Sequence, residues 1–181
     1  MIVEHFRVMC DYNYWANHQL WDVVLGLHAE DFRQNVAGFG NSIHSAVVDL
    51  VGTEWIWTAR LRGVSPTRLL SVEMLPDRDA IRLMWDEVEA DLRAYLRYPR
   101  ETVLGEAITY TTTQGSPQRN TPREILGHLF NYSTDRRAHV VAMLRGLGIE
   151  VPSLMLLEYY RADPETRQRV ASERFHRSVS S

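Results

Sequence analysis

Four stretches of the chain repeat apolar side chains at intervals of three and four residues, and this periodicity constrains the fold more than any other feature. In the first, 2–27, the row is Ile2, Phe6, Met9, Ala16, Leu20, Val23 and Leu27. Asn13 fills a gap in that row, where a buried amide needs hydrogen-bond partners. In the second, 42–62, Ile43, Val47, Leu50, Trp57 and Leu61 form the stripe and Glu54 interrupts it. Asn41 or Ser42 is placed to cap its start, and Gly63 ends it. The third, 77–98, opens after Pro76 with Asp77 as the cap, carries Ile81, Met84, Val88, Leu92 and Tyr95, and stops at Pro99. The fourth, 121–147, has the best start signal: Thr121 caps, Pro122 takes the first helical position, and Glu124 completes a capping box. Its apolar face runs through Ile125, Leu129, Val140, Met143 and Leu147 to the glycines at 146 and 148.

Between the third and fourth stretches the period changes. Residues Ile108–Thr113 are β-branched and aromatic, and Gln114-Gly115-Ser116 follows as a turn, so a β-hairpin is expected near 106–118. Residues 151–164 read as a short docked helix. The expected fold is all-α: an up-down-up-down four-helix bundle over residues 1–162, with a small β-hairpin excursion before the fourth helix. A polar C-terminal tail, 163–181, is either a surface helix or unstructured.

Charge and composition narrow the function. All 20 basic residues are arginine, which excludes lysine Schiff-base chemistry. A net charge of −3 without a dense basic stripe argues against nucleic acid as a partner. No apolar run reaches the roughly 18 residues of a membrane span, and the N-terminus lacks a signal-peptide pattern. A cytoplasmic protein is therefore expected. The single cysteine, Cys10, lies in an apolar row and reads as a packed thiol rather than a nucleophile. No phosphate-binding glycine loop or nucleophile-elbow motif is present.

The fourth helix raises the chemical question. Helical residues rotate by about 100° each, so with Tyr132 at zero His128 falls near −40° and Arg136 near +40°. On the same wheel Asp135 falls near −60° and His139 near −20°. All five share one face at the border of the apolar stripe, where bundles build metal and ligand sites. A merely solvated face is the alternative. His5, His18, His28, His44 and His176 have no ligand-like partners in the sequence and read as ordinary histidines. On the second helix Asp49 shares its face with Ser42, Ala46, Thr53 and Ile56, with Ser45 and Gly52 nearby. Such small side chains either let helices approach closely or leave a pocket beside the acid.

Three segments carry a resemblance: YNYWANHQLWD on the first helix, SIHSAVVDLVGTEWIWTARLRG on the second and TPREILGHLFNYSTDRRAHVVAMLRGLG on the fourth. In that order they resemble the DinB-like (DinB/YfiT) four-helix-bundle proteins over residues 3–160. The resemblance implies a bacterial, usually homodimeric bundle. In many members it also implies a divalent metal held by three histidines, one from the second helix and two, four apart, from the fourth. Known activities in the family are metal-dependent thiol transfer and a related isomerisation. Here the chain departs from the pattern. The resemblance sets Asp49 at the second-helix histidine, Tyr132 and Arg136 at the fourth-helix pair, and His139 at a position often occupied by glutamine. Arginine cannot ligate a cation, because its guanidinium stays protonated and offers only donors.

The resulting expectation is a metal-free DinB-like protein with no cofactor, in which Asp49, Tyr132 and Arg136 rebuild the family metal position as a polar cleft for a small-molecule ligand. Asp49 would pair with Arg136, and Tyr132 would donate to the same carboxylate. One alternative is a zinc- or nickel-dependent transferase or hydrolase with a shifted site, in which Asp135 and His139 are joined by His128 or Asp49. Another is a non-catalytic dimeric scaffold. Trp55, Trp57, Trp85 and Tyr95 offer aromatic surface for a homodimer interface.

Overall fold

In the computed structural model, residues 2–97, 101–165 and 167 are described. Four long helices dominate: α1 (Ile2–Leu25), α3 (Ile43–Leu61), α4 (Arg78–Arg97) and α6 (Pro122–Gly146). Between them lie two short helices that the periodicity does not announce, α2 (Ala29–Arg33) and α5 (Glu101–Gly105). Helices of about five residues are too short to show an apolar repeat. The hairpin β1 (Ile108–Thr111) and β2 (Pro117–Asn120) precedes α6, and α7 (Leu156–Arg161) follows it. The end of the third stretch at Pro99, His176 and most of the polar tail lie outside the described residues.

The helix starts follow the capping chemistry. Ser42, not Asn41, caps α3 by accepting from the Ser45 amide at 3.1 Å. Asp77 accepts from the Ala80 amide at 2.8 Å at the head of α4. At α6 the Thr121 side chain and the Glu124 carboxylate satisfy each other's backbone amides, a complete capping box. In the hairpin, Tyr110 pairs with Gln118 and Ile108 with Asn120. Its turn needs Gly115, whose φ of +83° would strain a side chain with a Cβ.

The all-α bundle with a hairpin before its last long helix is as expected, but the helix directions are not. Arg78 at the start of α4 donates to the Leu27 carbonyl beyond the end of α1, and Arg7 near the start of α1 donates to the Leu96 carbonyl near the end of α4. These two helices run antiparallel. His44 at the start of α3, by contrast, meets the Leu75 carbonyl just before α4. Glu54 meets Trp85 at mid-height, and Arg62 pairs with Asp91. The helices α3 and α4 are therefore parallel. Asp49 with Arg136 and Trp57 with His128 make α6 antiparallel to α3. The order is up-down-down-up, not up-down-up-down. The physical reason is the connection: residues 62–77 travel back along the length of α3 before α4 begins, and periodicity within helices carries no information about that path.

The core lies where the four helices converge. Leu20 and Trp21 of α1, Val47 and Leu50 of α3, Ile81 and Leu92 of α4, and Leu126 and Met143 of α6 are all buried. Each such side chain contributes roughly 1.5–3 kcal/mol through removal from water. Trp85 packs edge-on against Trp21 and is itself buried, and Trp57 turns toward α6 and the hairpin. Trp85 is thus spent inside the fold, while Trp57, Trp55 and Tyr95 remain half-buried. Among the described residues no helix is long and apolar enough to cross a membrane.

Candidate functional site

Among the polar systems of the bundle, one is open and one closed to solvent. The open one is a cleft of about 790 Å³ between α3, the segment 62–77, the hairpin tip and α6. Helical spacing aligns its floor: Asp49, Thr53, Ile56 and Arg60 recur along one face of α3 and all line the cleft. Gly52 lets the chain at Leu70 approach, since an added Cβ would sit 3.5 Å from the Leu70 Cβ. The small residues beside Asp49 thus serve both purposes, a close approach and a pocket wall. His128 and Tyr132 of α6 form the opposite wall, and Tyr110 of β1 closes one end. The Ser65 hydroxyl accepts from the Thr111 amide at 3.0 Å, tying the hairpin to the 62–77 segment.

Asp49, Tyr132 and Arg136 come together. Arg136 Nη1 lies 3.2 Å from Asp49 Oδ2, with the two side chains 32% and 48% exposed, so the pair is wet. The guanidinium carbon sits 4.5 Å from the centre of the Tyr132 ring. Tyr132 therefore meets Arg136 through its ring face; among the described residues its hydroxyl makes no bond to Asp49, contrary to the expected donation. Arg136 Nε is within 3.5 Å of Asp135 Oδ2 but not aligned for a hydrogen bond. His128 stacks nearly flat on Tyr132, at 5.5 Å and 13°, and meets Trp57 edge-on at 4.8 Å. Burial, with a contribution from the Arg60 charge, lowers its pKa and favours the neutral ring. His139 stands apart, edge-on to Phe39.

These residues do not fit a divalent cation at the position the resemblance implies. Of the three side chains there, one is a carboxylate already held by a guanidinium, one is a phenol stacked under it, and one offers donors only. The shifted set fares no better: Asp135 leans on Arg136 while His128 and His139 are engaged by different aromatic rings. Among the described residues no three His, Cys, Asp or Glu side chains are grouped to hold a metal.

The closed system is one that periodicity alone does not reveal. Glu54 is fully buried and accepts from Asn13 Nδ2 at 2.8 Å, Asn17 Nδ2 at 2.7 Å, Ser133 Oγ at 2.5 Å and Trp85 Nε1 at 2.9 Å. On the far side of the same two asparagines, Arg137 Nη1 donates to Asn13 Oδ1 at 2.9 Å and Asn17 Oδ1 at 2.7 Å. Each amide therefore relays between a buried anion and a buried cation, with its N–H₂ toward the carboxylate and its carbonyl toward the guanidinium. Burial lowers the Arg137 pKa, while the neighbouring Tyr12 and Glu54 raise it. The signal was present as interruptions in apolar rows, Asn13 and Glu54, but their mutual partnership was not readable. Two other histidines are structural: His18 pairs with the Glu89 carboxylate at 2.7 Å and His44 with the Leu75 backbone carbonyl at 2.7 Å. Burial pushes the Cys10 thiol far up, so it is a packed group.

The family described as "DinB family" matches this chain over residues 1–169. Protein DinB of Bacillus subtilis (strain 168) is 23% identical over 143 residues, covering 76% of this chain and 83% of that protein.

Proposed function

The chain belongs to the DinB family, and on that premise we propose that it is a metal-independent member that binds a small molecule in the cleft between α3 and α6. One observation carries the reading. Arg136 places a fixed positive charge on Asp49 where the resemblance implies a cation. The guanidinium takes over the electrostatic role of the ion and offers no coordination site. A cleft of this volume is within the range of small-ligand pockets, and its lining mixes aromatic surface with a few polar groups. No reaction is assigned: among the described residues the cleft contains no nucleophile paired with a base, and Cys10 is buried away from it.

A homodimer, in keeping with the resemblance, belongs to the same proposal, with an interface that does not draw on the buried Trp85. The experiment is twofold. Metal analysis of extensively dialysed protein should find no stoichiometric zinc or nickel. A panel of small fragments followed by protein NMR should shift resonances of cleft residues. Stoichiometric metal lost on Asp49→Ala would overturn the first half, and a panel without any shifts in the cleft would overturn the second.

A further inference from the structure

Among the described residues Arg60 is a cation without an anion. It stands in the last turn of α3 with only 6% of its surface exposed. Its guanidinium carbon lies 4.5 Å from the ring centre of Trp57 and 4.8 Å from that of Tyr110. Its Nε is sealed from solvent without a hydrogen-bond partner. Among the described residues the guanidinium forms no ion pair and no hydrogen bond, and the side chain lines the cleft. Two aromatic faces hold a guanidinium in place but satisfy none of its N–H donors. A guanidinium with so little exposure, its Nε sealed and no anion beside it, is costly to the fold. Elsewhere in this protein buried charges are matched, as Glu54 and Arg137 are through their asparagines. Arg60 is matched by nothing the described chain supplies.

We propose that Arg60 anchors a carboxylate of the small molecule that the cleft receives. This rests on the reading of the cleft as a ligand site and names the class of ligand. With Nε sealed, the terminal nitrogens are those left to face the cleft, and a planar pair of N–H donors matches the two oxygens of a carboxylate. A phosphate dianion fits less well, because among the described residues that line the cleft Arg60 is the one arginine. Arg136 is already engaged by Asp49, which lies three helical turns from Arg60, about 16 Å along α3. Next to Arg60 the wall continues as Trp57, His128 and Tyr132, a row of ring faces and edges. The body attached to the carboxylate is therefore flat and apolar, an aromatic or unsaturated acid rather than a sugar acid or a polyanion.

The test titrates the full-length protein with 3-phenylpropionate, with 3-phenylpropanol as the neutral counterpart and phenyl phosphate as the dianionic one. Tryptophan fluorescence and calorimetry report binding. The expected result is binding of the propionate ahead of both others, weakened about tenfold or more by Arg60→Met. Arg60→Lys should restore part of the affinity, since it returns the charge without the planar fork. Arg123→Met, on the exposed face of α6, should change nothing. If Arg60→Met does not fold, the Arg60 Nε–H resonance of the unaltered protein is followed instead and must shift on titration. Equal binding of acid and alcohol, or binding indifferent to Arg60→Met, would overturn the anchor and leave the ligand cleft standing. Tighter binding of phenyl phosphate would replace the carboxylate with a phosphate and overturn the proposal. If none of the three binds while other fragments do, the anchor alone falls; if nothing binds, both readings fall.

Discussion

Replacing Arg137 by methionine tests whether the buried relay is a matched charge system or merely polar packing. Methionine keeps much of the aliphatic stem, so the change removes the guanidinium with little loss of volume. Asn13 Oδ1 and Asn17 Oδ1 each lose a donor, at 2.9 and 2.7 Å, in a region with almost no solvent contact. The fully buried Glu54 carboxylate loses its only buried counter-charge in the network. Breaking one side of such a pair costs about 3–5 kcal/mol. For a domain of this size that corresponds to a fall in Tm on the order of 10 °C. Urea unfolding with linear extrapolation measures the same loss directly. Glu54→Gln keeps an oxygen for Asn13, Asn17 and Ser133 but turns an amide N–H₂ toward Trp85 Nε1, two donors face to face, for about 1–3 kcal/mol. The double variant should lose less than the sum, by roughly 1–3 kcal/mol, because a neutral amide in place of the Glu54 carboxylate no longer needs the cation. Arg137→Met falling within about 0.5 kcal/mol of the surface control Arg123→Met, or strict additivity in the double variant, would refute the relay.

The exposed pair behaves differently. Asp49→Ala and Arg136→Met should each cost about 1 kcal/mol or less, because both side chains keep contact with water, and the loss should shrink further at high salt; chemical denaturation at two ionic strengths checks this, and a loss like that of Arg137→Met would contradict a wet ion pair. Glu89 predicts a pH dependence. Burial pushes its pKa up, but the hydrogen bond and charge of His18 and the charge of Arg93 outweigh it and hold the carboxyl below the ordinary glutamate range. A depressed folded pKa means that the unfolded chain binds the proton first, so this stabilisation is present above about pH 5 and is lost as pH falls through the glutamate range toward the folded value. The difference in stability between the unaltered protein and Glu89→Gln should therefore narrow on acidification, and a difference constant from about pH 6 to about pH 3 would rule out the coupling.

The four long helices, most of their caps and the hairpin were legible in the residues because each rests on local rules. An apolar period of three to four needs a face to bury, Thr121 and Glu124 satisfy amides within one turn, and Gly115 takes the positive φ of its turn. Even the meeting of Asp49 with Arg136 followed from position along two helices together with the family pattern, and the structure puts them 3.2 Å apart. What local rules cannot carry is the direction in which a connection returns. Residues 62–77 make α3 and α4 parallel, and no residue within either helix records that choice.

The same limit governs the polar interior. Asn13, Asn17, Glu54, Ser133 and Arg137 are scattered over three helices, and Glu54 and Arg137 become a charge relay only when those helices close on one another. Arg60 shows the converse. By sequence it is one of 20 arginines; the fold sets it over Trp57 and the Tyr110 of a distant hairpin, with no anion beside it among the described residues. Sequence by itself determined which long elements form, because hydrogen bonding and periodic burial act within a few residues. Tertiary structure decided how the buried charges Glu54, Arg137 and Arg60 are matched or left open, because their Coulomb and desolvation terms depend on distances between segments far apart in the chain.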